Sequence, residues 1–259
     1  MKKTITQGIV LILFLVVGTC CAASSHHLEP IEKAAANGEL DSILEKLNKA
    51  AAGLHSYQCQ IVYNFSQPLF DSQTLRKGNL YYKKREKQSK LRINFDTIKQ
   101  DDEKQQKQKE QYIFDGVWIT HINYQLKEVK KHQLADPNKP VDTFELVRKN
   151  FPIIGFSKNE DLKKQFEITI IKDTANKTSI HLHLKVKPES VYKDDYTSID
   201  FWIDKELNLP SKIIAVNLDE DIYEINLLNA KVNQALDDKI FDVEIPAGFA
   251  KPAITPLKK

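Results

Sequence analysis

His181 and His183, in the run "HLH", are the residue types and spacing best suited to chemistry in this chain. On a strand, residues two apart share one face, so both imidazoles could point at one ion, with a carboxylate to complete the set. Glu189 follows six residues after His183, but Lys185 is next on the same face and would repel a cation. The glycine that a cupin-type barrel usually carries there is also missing. The expectation is outward polar residues on a half-buried strand and no metal or other cofactor. A metal-dependent barrel enzyme using His181 and His183 stays as the alternative.

Other clusters point the same way. "DDEK" (101–104) and "DEDIYE" (219–224) gather carboxylates, yet neither has the spacing and central glycine of a calcium loop. No nucleophile elbow, phosphate-binding loop or dinucleotide fingerprint occurs. The basic run "KKREKQSK" (83–90) has no interleaved aromatic residue to stack bases, so it reads as a charged hairpin turn. Cys59 falls in an apolar alternation and reads as a buried structural thiol. The residue types therefore lead to a protein that is not an enzyme.

The start of the chain indicates export. Lys2 and Lys3 precede the apolar run "IVLILFLVVG" (9–18), too short for a comfortable span, and "CCAASS" supplies small residues for cleavage after Ala22 or Ala23. Residues 1–23 are read as a signal peptide and 24–259 as one domain. Lipidation of Cys20 or Cys21 is the rival reading. After cleavage Cys59 is the only cysteine, so no internal disulfide is available and the core must hold the fold. The formal charge of +3 drops to about +1 with loss of Lys2 and Lys3, which leaves no footprint for nucleic acid. The protein is expected to be a monomer.

These residues have to be positioned by a helix and a wide sheet. "EPIEKAAANGELDSILEKLNKAAAGL" (29–54) carries Leu40, Ile43, Leu44 and Leu47 at helical spacing, with Gly53 as a stop and Gly38 as an expected break. The period then changes to two: in "SYQCQIVYNF" Tyr57, Cys59, Ile61, Tyr63 and Phe65 alternate with polar residues. "GNLYYKK", "KLRINFD", "YIFDGVWI", "LKEVKKH", "FEITIIK", "TSIHLHLKVK", "YTSIDFWIDKEL", "LPSKIIAVNLD", "DIYEINLLNAKV" and "KIFDVEIP" continue as strands, about eleven in all. The polar run 99–111 reads as a solvated hairpin tip. Between 137 and 166 alternation gives way to turns and short helices carrying Phe144, Leu146, Phe151, Ile153, Ile154 and Phe156. Twist curls so wide an antiparallel sheet into a barrel or half-barrel, and the amphipathic helix must cover its apolar concave face. Such mouths are common ligand sites.

Five segments in order resemble the LolA/LolB superfamily of periplasmic lipoprotein carriers. They are the amphipathic helix followed by "YNFSQ", then "GNLYYKKREKQSKLRINF", "YIFDGVWI…KEV", "IDFWIDKELNLPSKI" and "NAKVNQALDDKIFDVEIPAGF". The last carries Phe241, Pro246 and Gly248 near the closing strand. The match looks like a divergent branch. The resemblance implies an open antiparallel β half-barrel, mainly β with some α, whose helical lid closes over an apolar cavity. It implies binding of lipoprotein acyl chains in the periplasm and their delivery toward the outer membrane, between an inner-membrane transporter and an outer-membrane receptor. Other lipid cargo, or a lipid-anchored receptor on the same fold, are the alternatives.

On that resemblance Leu40, Ile43, Leu44 and Leu47 belong to the lid, with the 140–166 segment closing the other side, and Trp118 belongs to the cavity wall. The family often ends the strand matching "GNLYYKK" with Arg-Pro, an arginine linked to lid behaviour. Here Lys84 and Arg85 stand there, so a lid or transfer role falls to them. Where the family often has an aromatic after Asp115-Gly116, this chain has Thr120 and His121.

Overall fold

A computed structural model describes residues 30–85, 88–142, 159–172 and 177–257. The expected signal peptide 1–23 with Cys20 and Cys21, and the apolar residues noted within 143–158, lie outside them.

Helix α1 (Pro30–Ala52) runs unbroken through Gly38, contrary to the expected break. One glycine costs about 1 kcal/mol relative to alanine, less than burial of a single leucine (~1.5–3 kcal/mol). Leu40, Ile43, Leu44 and Leu47 are all buried, so packing decides. No described helix is long and apolar enough to cross a membrane.

The strands are β1 (Ser56–Gln67), β2 (Ser72–Arg85), β3 (Gln88–Gln100), β4 (Gln106–Phe114), β5 (Trp118–Asn123), β6 (Glu128–Gln133), β7 (Phe166–Ile171), β8 (Ser179–Val186), β9 (Tyr196–Asp204), β10 (Pro210–Asn217), β11 (Ile222–Val232) and β12 (Ala253–Thr255). A short helix, α2 (Asn159–Gln165), precedes β7. Among the described residues these strands form one open sheet in the order β12-β6-β5-β4-β3-β2-β1-β11-β10-β9-β8-β7. Every pairing is antiparallel except β12 on β6. Two meanders, β1 to β6 and β7 to β11, are thus joined where β1 pairs with β11. This is the open half-barrel with a helix over it.

Two strand boundaries differ from expectation. "KIFDVEIP" is no strand: Asp237 accepts from the backbone N–H of Lys239 and starts a 3-10 turn, Asp238–Phe241, that buries Phe241. The sheet instead ends with β12, farther along. The polar run 99–111 is mostly ladder, because β3 continues to Gln100 and β4 resumes at Gln106, leaving only 101–105 as the tip.

Alternation sorts the side chains by face. The inner face, under α1, joins the helix residues to Ile61, Tyr63, Ile93, Phe95, Tyr112, Leu182, Leu184, Ile199, Phe201 and Tyr223 in one buried cluster. Cys59 is buried in an adjoining cluster with Tyr57 and Tyr82, and burial pushes its thiol up to about 12. On the outer face Ile113, Ile122 and Val129 are covered by Phe249, whose ring meets Tyr124 edge-on at 5.4 Å. Gly78 lets β2 and β3 approach at a bulge, since a Cβ there would sit 1.7 Å from the Asn94 carbonyl oxygen.

Candidate functional site

Helix α1 is held by a side-chain clasp at its C-terminal connection and by polar contacts to α2 farther back. At its C-terminal end Asn233, at φ 55°, fills a clasp. Its Oδ1 accepts from the backbone N–H of His55 at 2.7 Å and of Ser56 at 3.3 Å, and its Nδ2 donates to the Gly53 carbonyl at 2.9 Å. Toward the middle of α1, Asp41 forms an ion pair with Lys163 of α2, and Asn48 Nδ2 donates to Asn159 Oδ1 at 2.6 Å. Both partners of the ion pair are well exposed, and such pairs are worth only about 0–1 kcal/mol. Besides its apolar packing, the covering element is therefore clasped at Asn233 and joined to α2 through Asp41 and Asn48.

The expected lid residues Leu40, Ile43, Leu44 and Leu47 all face the sheet; Leu44 and Leu47 are 1% and 0% exposed. Trp118 is placed differently. Thr120, two residues on, is the ladder partner of Ile113, so Trp118 shares the outer face with Ile113 and Ile122. Its ring lies beneath the Lys131 ammonium, 5.1 Å from the centroid. Trp118 is sheet packing on the side away from α1, and its ring does not line the face that the helix covers. The turn before it is as expected: Gly116 has φ 99°, and Asp115 Oδ1 accepts from Val117 N and Trp118 N.

Lys84 and Arg85 are exposed and point to opposite faces of β2. Lys84 is on the inner side, with its backbone N–H donating to the His55 carbonyl, next to the clasp. Arg85 and Lys83 are on the outer side and pair with Asp238 of the C-terminal 3-10 turn. Only Lys84 is therefore near the helix connection.

Past the region under α1, the inner face of β2, β4 and β5 carries a buried polar cluster. Glu110, 5% exposed, accepts from four donors. Arg76 Nη1 (2.7 Å) and Tyr112 OH (3.1 Å) reach Oε2, while Asn123 Nδ2 (2.9 Å) and Gln108 Nε2 (3.3 Å) reach Oε1. The ring of His121 stacks on Tyr112 at 4.5 Å and 4°. Its Nε2 is 3.9 Å from Glu110 Oε2, too far for a hydrogen bond. His121 Nε2 and Arg76 Nε are both shut away from solvent without a hydrogen-bond partner. Leaving such a group unpaired costs roughly 1–3 kcal/mol. Burial pulls the His121 imidazole down to about 4, against the opposing pull of Glu110, so the ring is neutral near pH 7.

On the outer face His181 Nε2 and His183 Nδ1 both bond Asp200 Oδ1, at 2.7 and 2.9 Å. His181 also stacks on Trp202 at 4.1 Å. The hydrogen bond to Asp200 raises the His183 pKa. Burial pushes Asp200 up, but the bonds from His183 and His181 outweigh it and hold the carboxyl below its usual value. Among the described residues no group of three or more His, Cys, Asp or Glu is arranged to hold a metal ion. Glu189 instead borders a hollow with Glu160, Lys163, Lys164, Gln165 and Lys187. The sequence alone does not single out Asp200, Glu110, Arg76 or Asn123: Glu110 falls in the polar run 99–111 and Asp200 at a polar position of the β9 alternation.

No protein-family model matches the chain. No curated protein matches it in sequence either. Solved structures similar to it include the Mycobacterium tuberculosis lipoprotein LppX, with 10% identity, a TM-score of 0.46, and coverage of 78% of this chain and 98% of that one. A LolA superfamily protein from Nitrosomonas europaea is similar at 13% identity and a TM-score of 0.33, over 78% of this chain and 97% of that one. Pseudomonas aeruginosa MucB, in its complex with MucA, is similar at 14% identity and a TM-score of 0.46, over 80% of this chain and 61% of that one.

Proposed function

We propose that this protein is a carrier of acylated molecules, which lodges acyl chains on its inner face once α1 has moved aside. In this reading it works in the periplasm and takes lipoproteins toward the outer membrane, and no bond is made or broken. One observation carries it: a continuous apolar face of the open sheet is covered by one helix, α1, which packs its leucines on it and is clasped at its C-terminal connection by Asn233. Acyl chains suit the face because each buried methylene contributes about 0.8 kcal/mol. The same leucines that fill the face at rest would keep it from water when cargo is absent.

The deciding experiment is binding of a lipopeptide and of the same peptide with its acyl chains removed. Tight binding of the first alone is expected. Equal affinity for both, or binding of neither, removes acyl-chain carriage.

A further inference from the structure

We propose that the cluster around Glu110 is a subsite for a neutral oxygen, the ester or amide carbonyl at the head of an acyl chain, and that it discriminates against a carboxylate. This deepens the acyl-carrier reading and rests on it.

Glu110 itself is not the ligand group. Both its oxygens are already satisfied by Arg76, Tyr112, Asn123 and Gln108, and its charge is matched by Arg76. What the cluster leaves open is a pair of nitrogens, Arg76 Nε and His121 Nε2, buried and without partners. A few such atoms are usual in a native protein, and Asn64 Oδ1, Thr97 Oγ1 and Asp238 Oδ1 are others here, but two donors bordering the same carboxylate call for a reason. Arg76 Nε is always a donor, and a neutral imidazole can present its proton at Nε2. An oxygen brought beside Glu110 would give either of them a partner.

Position agrees with this chemistry. The Tyr112 ring links the cluster to the apolar face: it stacks on His121 on one side and meets Phe95 edge-on at 6.3 Å on the other. Arg76 is the cross-strand neighbour of Tyr63, itself part of the buried cluster under α1. A chain lying along that face therefore reaches the cluster with its head. The head must be neutral. A second carboxylate would be placed beside Glu110 in a poorly solvated spot, with Arg76 already engaged, and like charges there repel strongly. Arg76 and Lys130, the cross-strand neighbour of His121, disfavour a cationic head.

The test uses the purified full chain and three probes: diphenylhexatriene, which has no polar atom, methyl laurate, and laurate at pH 8. Displacement of diphenylhexatriene should show methyl laurate binding about tenfold more tightly than laurate, because the laurate carboxylate is repelled by Glu110. His121→Phe keeps the ring stack and removes the nitrogen. It should lower methyl laurate affinity about five- to tenfold while leaving diphenylhexatriene unchanged. Glu110→Gln should raise laurate affinity by removing the repelling charge. A purely structural cluster would shift the melting temperature without changing this selectivity. If the wild-type chain binds diphenylhexatriene and both laurates equally, the subsite is overturned and acyl carriage stands. If it binds none of the three, both fall.

Discussion

The Asn233 side chain donates to the Gly53 carbonyl at 2.9 Å, so a residue just past β11 fixes the point where α1 leaves for the sheet. The same amide accepts from His55 and Ser56. Asn233→Ala removes three hydrogen bonds and keeps a left-handed φ without asparagine's tolerance of it, so a loss of about 2–3 kcal/mol is expected. Asn233→Gly relieves the backbone and should recover about 1 kcal/mol of that. Urea unfolding of the two variants separates the contributions.

Leu44→Asp tests the helix as a cover. Leu44 is 1% exposed against the sheet, and an unpaired carboxylate there is costly. Detachment of α1 is the expected response, with the far-ultraviolet sheet signal retained and the fluorescence of a hydrophobic dye increased. Loss of the sheet signal would mean that α1 is an integral part of the core and not a cover.

His121 gives a pH dependence with a defined sign. Its folded pKa is lowered from 6.5 to about 4. Below pH 6.5 the unfolded chain takes up a proton that the folded chain refuses. The stability present above pH 6.5 is therefore lost as pH falls toward 4, by up to roughly 3 kcal/mol. His121→Phe should flatten this part of the melting temperature profile. Glu110, Arg76, Lys130 and Glu128 are the charged groups that act on the ring.

His183 has the opposite sign. Its pKa is raised by Asp200, so the stability it contributes is complete below the unfolded value of 6.5 and fades as pH rises through the folded one. Histidine resonances followed by NMR should place His183 above the ordinary value, and Asp200→Asn should return it there. No change on that substitution would mean that the His183–Asp200 bond is absent in solution.

Gly78→Ala should destabilise by at least about 3 kcal/mol, because overpacking is against backbone and neither strand can retreat easily. A melting temperature unchanged from wild type would show that the β2–β3 bulge relaxes.

The helix and most strands could be read in the sequence because each buries one side, so apolar residues recur at the element's own period. Leu40, Ile43, Leu44 and Leu47 show this for α1, and the odd-numbered residues of 57–65 for β1. Trp118, expected in the cavity wall, lies on the outer face; alternation does not separate the faces of β5, because Ile119 and His121 alternate with Thr120 and Ile122 and all four are buried. Register was equally hidden. Asp200 meets His183 across β8 and β9, and Arg76 meets Glu110 across three strands, through pairings that no local pattern encodes.

The seam between β1 and β11 also sets the order of assembly. Tyr57 finds Val232 and Ser66 finds Ile222 across nearly the whole described chain, whereas each meander needs only its own neighbours. Closing so long a loop is slow compared with forming hairpins. As the chain emerges, β1 to β6 can zip together early, but one edge of β1 has no partner until β11 is made. During that interval the apolar alternation of β1 is a template for any other extended chain. The centre of the finished sheet is thus the most aggregation-prone edge of the unfinished one, and a helper that protects the nascent chain would act there.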